Sequence, residues 1–200
     1  PGLSKSNDDF YENILKKIAD KNNLIDKAVE LIENNEILAT CYENIETGPR
    51  ALGNRSLICN GHNQELISKL SVQIKNRSPF RPTAPAVLRE DASKYFKIEE
   101  SLFKNYLHMG ATTMTNKECI EEIRGVVHVD DSARIQICDD TQLLGKILKK
   151  CRKNNIFILA NTSFNISSDP MVYGKEDALL AIKRMNIKYL LTETGIYSTQ

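Results

Sequence analysis

The residues able to do chemistry in this chain fall in three stretches. In the first, Thr47-Gly48-Pro49-Arg50-Ala51-Leu52-Gly53-Asn54-Arg55-Ser56 sets two arginines on a frame of glycine and proline. Glycine permits tight backbone turns and close approach to a ligand, and Pro49 fixes the turn before Arg50. Arginines held this way grip phosphate or carboxylate through paired, fork-like hydrogen bonds. Lys75-Asn76-Arg77-Ser78-Pro79-Phe80-Arg81-Pro82 repeats the theme, with Lys75, Arg77 and Arg81 stiffened by prolines. If the backbone from Lys75 to Arg77 is extended, both side chains share one face, a phosphate clamp in outline. From Arg50 to Arg89 seven basic residues stand against one acid, Glu65, a local charge of +6 in a chain whose net charge is +1. A solvated basic face is the simplest account of a charge run. The Gly/Pro setting of these cations favours a ligand site instead.

The second stretch, Asn161-Thr162-Ser163-Phe164-Asn165, follows the apolar run IFILA at 156–160. Ligands in α/β sheets bind beyond the C-terminal ends of strands. Here hydroxyl and amide side chains cluster at such an end, with Phe164 expected to turn inward, and they can bond phosphate or carbonyl oxygens. A polar turn capping the strand is the alternative. The spacing Ser163-x-Asn165 mirrors Lys75-x-Arg77, which predicts two facing strand ends around one anion. The third stretch runs from His128 to Gln136. His128 and Asp130 form either an acid–base pair or part of a plain turn, while Ser132 and Arg134 alternate onto one face within reach of a nucleotide. The chain has no G-x-S-x-G, Walker A or G-x-G-x-x-G signature.

These residues need elements to position them. Ile25, Ala28, Val29 and Ile32 recur at helical spacing and predict a helix over 24–35, with an earlier one over 10–20. Further helices are expected over 64–74, 93–96, 141–152 and 176–184. Apolar runs at 36–42, 54–59, 84–88, 126–129, 133–138, 156–160 and 188–192 read as strands, with another at 107–113. Strands interleaved with helices predict an α/β (α+β) domain with a mixed sheet over 24–200, preceded by an N-terminal extension with a helix over 1–23.

Composition sets the outer bounds. The chain has 200 residues, 41% hydrophobic and 26% charged, the balance of a folded globular domain. No apolar run approaches the roughly 18–20 residues that span a bilayer, so no membrane partner is expected. A net charge of +1 and the absence of tryptophan make nucleic acid an unlikely partner. Five widely spaced cysteines without C-x-x-C read as reduced thiols of a cytoplasmic protein, and three scattered histidines argue against a bound metal. The opening PGLSKSNDDF carries neither initiator Met nor signal pattern, and is expected to belong to a longer protein.

Four ordered motifs now stand out: GPRALGNRS at 48–56, K-x-R…F-R-P-x-A-P at 75–85, H-V-D-x-[ST]-A-R-x-Q at 128–136, and N-T-S-F-N…P-x-V…E-D-A-L at 161–179. Over residues 24–195 the chain resembles the C-terminal domain of the NodU/CmcH O-carbamoyltransferases. Its K-x-R and S-x-N pairs are also similar to those of the YrdC family and the related HypF domain. The resemblance implies a YrdC-like twisted mixed sheet that binds carbamoyl phosphate and ATP, with nucleotide-associated Mg²⁺, and forms carbamoyl-adenylate with release of pyrophosphate. It also implies an N-terminal carbamoyl-transfer domain on the same longer chain, which passes the group to a small-molecule hydroxyl acceptor.

Carried over by motif, Lys75, Arg50 and Arg81 would form the catalytic cationic clamp, with Ser163 and Asn165 as its hydrogen-bonding partners. Arg55, Arg77, Asn161, Thr162, Ser132 and Arg134 would hold the nucleotide. The chain departs from the family at Thr47 (usually aromatic), Ser78 (usually Glu), Asp131 (usually Gly) and Ser168-Asp169-Pro170 (usually Gly-Glu-Pro); Asp131 would put a negative charge beside the phosphate site. Two competing readings are a non-catalytic nucleotide- or RNA-binding module and a threonylcarbamoyl-adenylate synthase. GPRALGNRS argues against the latter.

Overall fold

The computed structural model describes residues 11–12, 14–46, 48–76, 78, 82–166 and 169–199. In chain order its principal elements are β1 (Lys16–Asp20), α1 (Leu24–Glu33), β2 (Leu38–Cys41), β3 (Ser56–Asn60), α2 (Gln64–Ser68), β4 (Ala84–Leu88), α3 (Arg89–Tyr95) and α4 (Phe103–Tyr106). They continue with β5 (Thr113–Met114), β6 (Ser132–Ala133), β7 (Gln136–Cys138), α5 (Leu143–Cys151), β8 (Ile158–Ser163), α6 (Lys175–Met185), β9 (Tyr189–Thr192) and β10 (Gly195–Ser198). Eight strands form one sheet in the order β1-β10-β9-β2-β3-β8-β4-β7. The β2–β9 and β4–β7 pairs are parallel and the remaining pairs antiparallel, so the sheet is mixed.

The central strands are predominantly apolar because both faces are covered. Successive side chains alternate between two cores. Leu57, Cys59, Val87, Ala160 and Leu190 face one, with α2, α3 and α6. Ile58, Ala86, Leu88, Leu159 and Leu191 face the other, under α1 and α5. Helix α1 buries Leu24, Ala28, Val29, Leu31 and Ile32 as its periodicity requires, and α5 buries Leu144, Ile147, Leu148 and Cys151. Left-handed Asn155 and Asn186 follow the two later helical segments, a conformation asparagine tolerates. All five cysteines are buried free thiols. Burial pushes Cys59 and Cys138 up to about 12. No helix among the described residues is long and apolar enough to cross a membrane.

The structure corrects several expectations. In place of a helix reaching Asp20, Lys16–Asp20 is a strand paired to β10, so these residues belong to the sheet rather than to an extension. Strand β10 follows β9 through a tight hairpin that the sequence reading did not include. The run at 107–113 is a turn around left-handed Met109, with only Thr113–Met114 in a ladder. Residues 124–126 form a 3-10 turn whose Val126 packs in the core without strand partners. The helix over 64–74 exists, but its second half, Lys69–Ile74, is wound as a π-helix.

Gly145 shows how tightly α5 sits. A Cβ there would lie 1.8 Å from the Asp139 carbonyl oxygen. Glycine to alanine inside a helix usually gains about 1 kcal/mol. Gly145→Ala is expected to do the reverse, lowering the urea midpoint by more than the propensity gain could offset; a raised midpoint would contradict this packing.

Candidate functional site

The loop between β2 and β3 is shaped by an acid the sequence reading passed over. Glu46 Oε1 accepts the backbone N–H groups of Leu52 and Asn54, each at 2.8 Å, and Oε2 accepts that of Arg55 at 3.3 Å. A carboxylate collecting three amides in this way fixes the whole GPRALGNR turn. Gly53 is needed there, since its φ is +132° and a Cβ would stand 2.8 Å from Leu144 Cγ of α5. The turn presents Pro49, Arg50 and Ala51 to a cavity of about 200 Å³.

Arg55, expected with the nucleotide, has a different task. It is buried, and its guanidinium donates to the carbonyls of Tyr42 (2.9 Å), Asn54 (3.0 Å), Glu43 (3.2 Å) and Tyr173 (3.2 and 3.3 Å). The fork spent on these four carbonyls knits the loop to the segment before α6, and Arg55 does not line the cavity. The sequence could not separate the two roles, because carbonyl and phosphate oxygens satisfy a guanidinium equally well.

Lys75 lies at the end of the π-helix, its N–H bonded to Leu70 O at 3.0 Å. The side chain is fully buried. Its ammonium reaches across 88 residues of sequence to Ser163 O at 2.7 Å and Ser163 Oγ at 3.4 Å, and it also donates to Asn165 Oδ1 at 2.6 Å and to Asn165 O. Ser163 Oγ donates to the same Asn165 Oδ1 at 2.6 Å, and Asn165 Nδ2 donates to Asp169 O at 2.6 Å. The K-x-R and S-x-N stretches therefore do meet. They do not meet as two extended strands: Asn76 is left-handed at φ +50° and turns the chain directly after Lys75. Arg77 and Arg81 lie outside the described residues.

Asn161, Thr162 and Ser163 at the end of β8 form one wall of the cavity, Arg50 another, and His128 and Arg134 a third. NTS is thus the last half of a strand rather than a loop after it, and Phe164 is turned fully into the core. Arg134 is steadied by the Met109 carbonyl at 3.4 Å. The site reading also passed over Gln136, a fully buried residue joined to Leu52 O (2.7 Å) and Asn161 Nδ2 (2.7 Å). Its signal was a polar residue inside an apolar strand run. Ser132 does not line the cavity; its hydroxyl and N–H bond Asp130 Oδ1 at 2.7 and 3.1 Å, and these bonds hold the Asp130 carboxyl below its ordinary range.

No carboxylate is among the described residues lining this cavity. Asp131 adopts φ +62°, the conformation that suits the family's glycine, and pairs with Arg124 at 3.1 Å instead of facing the cavity. With arginines, a histidine and hydroxyls around it, the cavity is complementary to an anion. No group of three or more His, Cys, Asp or Glu among the described residues can hold a metal ion.

The two loop arginines should separate by stability. Arg55→Ala leaves buried carbonyls without donors and is expected to cost about 2–4 kcal/mol in chemical denaturation. Arg50→Ala, on the cavity wall, is expected to cost clearly less. Equal losses would contradict the division of roles.

The comparisons agree with this architecture. At the level of fold, P. abyssi Sua5 superposes with a TM-score of 0.60 at 14% identity, covering 88% of this chain and 46% of that one. Nodulation protein NolNO of Sinorhizobium fredii is 31% identical over 156 residues, 76% of this chain and 23% of the relative. The 3'-hydroxymethylcephem-O-carbamoyltransferase of Streptomyces clavuligerus is 33% identical over 135 residues, 66% of this chain and 25% of the relative. The chain thus spans about a quarter of the length of these curated relatives. The model of the carbamoyltransferase C-terminus family matches residues 29–198, and with these relatives it establishes that the chain belongs to that family, as a C-terminal domain of the NodU/CmcH type.

Proposed function

We propose that this domain binds carbamoyl phosphate and ATP and forms carbamoyl-adenylate. The observation that carries the reading is the convergence of Arg50, Arg134 and the Lys75-braced Ser163, from stretches far apart in the chain, on one cavity with no carboxylate among the described residues lining it. Two phosphate-bearing substrates repel each other, and fixed cations offset that repulsion while holding the reactants in line.

The reaction balances with one water. Water cleaves carbamoyl phosphate to inorganic phosphate and carbamate. A carbamate oxygen then attacks the α-phosphorus of ATP, the new O–P bond forms, and the bond to the β-phosphate oxygen breaks as pyrophosphate leaves. In this scheme Arg50 and Arg134 neutralise phosphate oxygens, Thr162 donates a hydrogen bond, Ser163 does so by turning its hydroxyl from Asn165 Oδ1 to the phosphate, and Lys75 adds positive charge behind it. Arg77 and Arg81 join the clamp by their place in the motif. Mg²⁺ travels with the nucleotide. An N-terminal domain on a longer chain would then transfer the carbamoyl group to a small-molecule hydroxyl, making the whole protein a carbamoyltransferase.

The test is pyrophosphate release by this chain in the presence of ATP, Mg²⁺ and carbamoyl phosphate. Release is expected to require all three and to fall on the order of 10²–10³-fold in Arg50→Ala, with the unfolding midpoint read alongside. Salt-sensitive nucleotide binding without any pyrophosphate would overturn the adenylate-forming reading in favour of a binding module.

A further inference from the structure

One polar atom on the cavity wall has no partner. Asn161 is only 1% exposed and lines the cavity, yet its Oδ1 is buried without a hydrogen bond. Its Nδ2 is fully used, donating to Ala51 O at 3.1 Å and Gln136 Oε1 at 2.7 Å.

The identity of the orphan atom follows from its neighbours. A backbone carbonyl only accepts, so the Asn161 atom facing Ala51 O must be the nitrogen. The Gln136 amide is fixed by the same logic, since its Nε2 faces Leu52 O at 2.7 Å and its Oε1 is left to accept from Asn161. Two carbonyls of the GPRALGNR turn therefore lock both amides, and Asn161 cannot flip to present a donor. What it offers the cavity side is an acceptor. Thr83 Oγ1, on the same cavity, is likewise buried without a partner and can donate or accept. A buried unpaired acceptor costs about 1–3 kcal/mol, and such groups call for an explanation in function or in an ordered water.

We infer that Asn161 selects the amide end of the acyl phosphate, its Oδ1 accepting a carbamoyl N–H. The inference rests on the carbamoyl phosphate reading above and goes further, because it assigns specificity. Acetyl phosphate has nearly the same shape and charge, but puts a methyl group where carbamoyl phosphate puts NH₂. A site built around a hydrogen bond rejects the analogue that lacks it, because its own buried group is then left unpaired. Gln136 is a positioning residue, holding Asn161 through its Oε1 and the arginine turn through its Nε2.

The experiment compares binding of carbamoyl phosphate, acetyl phosphate and inorganic phosphate to this chain by titration calorimetry. The wild type is expected to prefer carbamoyl over acetyl phosphate by about 10–100-fold. Asn161→Leu should bring that ratio close to one, chiefly by weakening carbamoyl phosphate. Gln136→Leu, which removes one of the two acceptors that hold Asn161 Nδ2, should lower the ratio in the same sense and by less. Equal affinity of the wild type for the two acyl phosphates overturns the inference while leaving the phosphate site standing, and that result does not depend on any variant folding. Binding of none of the three anions overturns the function proposed above, and this assignment with it.

Discussion

A lysine ammonium can be buried only if oxygen atoms replace the water it loses. Lys75 meets that requirement through the Ser163–Asn165 turn, and in doing so it pins the end of the π-helix to the end of β8. The position of Ser163 at the cavity, the inward turn of Phe164 and the attachment of the turn to Asp169 all follow from that junction. Arg55 applies the same constraint on the other side, where its four carbonyl partners bind the β2–β3 loop to the segment entering α6. Two buried cations thus organise backbone, while Arg50 and Arg134 line the cavity.

The distribution of acids completes the electrostatic picture. The chain is close to neutral, yet no carboxylate is among the described residues lining the cavity, and three nearby acids are engaged elsewhere: Asp131 with Arg124, Asp169 with Arg184, and Glu46 with the amides that shape the arginine turn. A low net charge therefore coexists with a site of one sign, which is how a cleft focuses field on an anion without making the whole surface basic.

Much of this was legible before any coordinates. Helices α1, α5 and α6 carry strong 3.6-residue periodicity, and β2, β3, β4, β8 and β9 are short apolar runs bounded by turn residues. Strand β1 was not legible, because its state is decided by a ladder to β10 at the opposite end of the chain. The runs at 107–113 and 126–129 were misread for the reverse reason: Met109, Val126 and Val127 are buried by packing rather than by strand pairing. In the site, residue type marked the cations and the hydroxyl–amide cluster, but it could not show which arginine meets carbonyls. Glu46 and Gln136 were overlooked because their work is to hold other residues, and the partners that reveal it are backbone groups.

The account depends on one anion being shared by the arginine turn and the end of β8. A crystal structure of this chain with carbamoyl phosphate tests that directly. The account predicts the phosphate between Arg50 and Arg134, within hydrogen-bonding distance of Ser163. Ordered carbamoyl phosphate seated elsewhere on the protein, with this cavity holding only water, would contradict it.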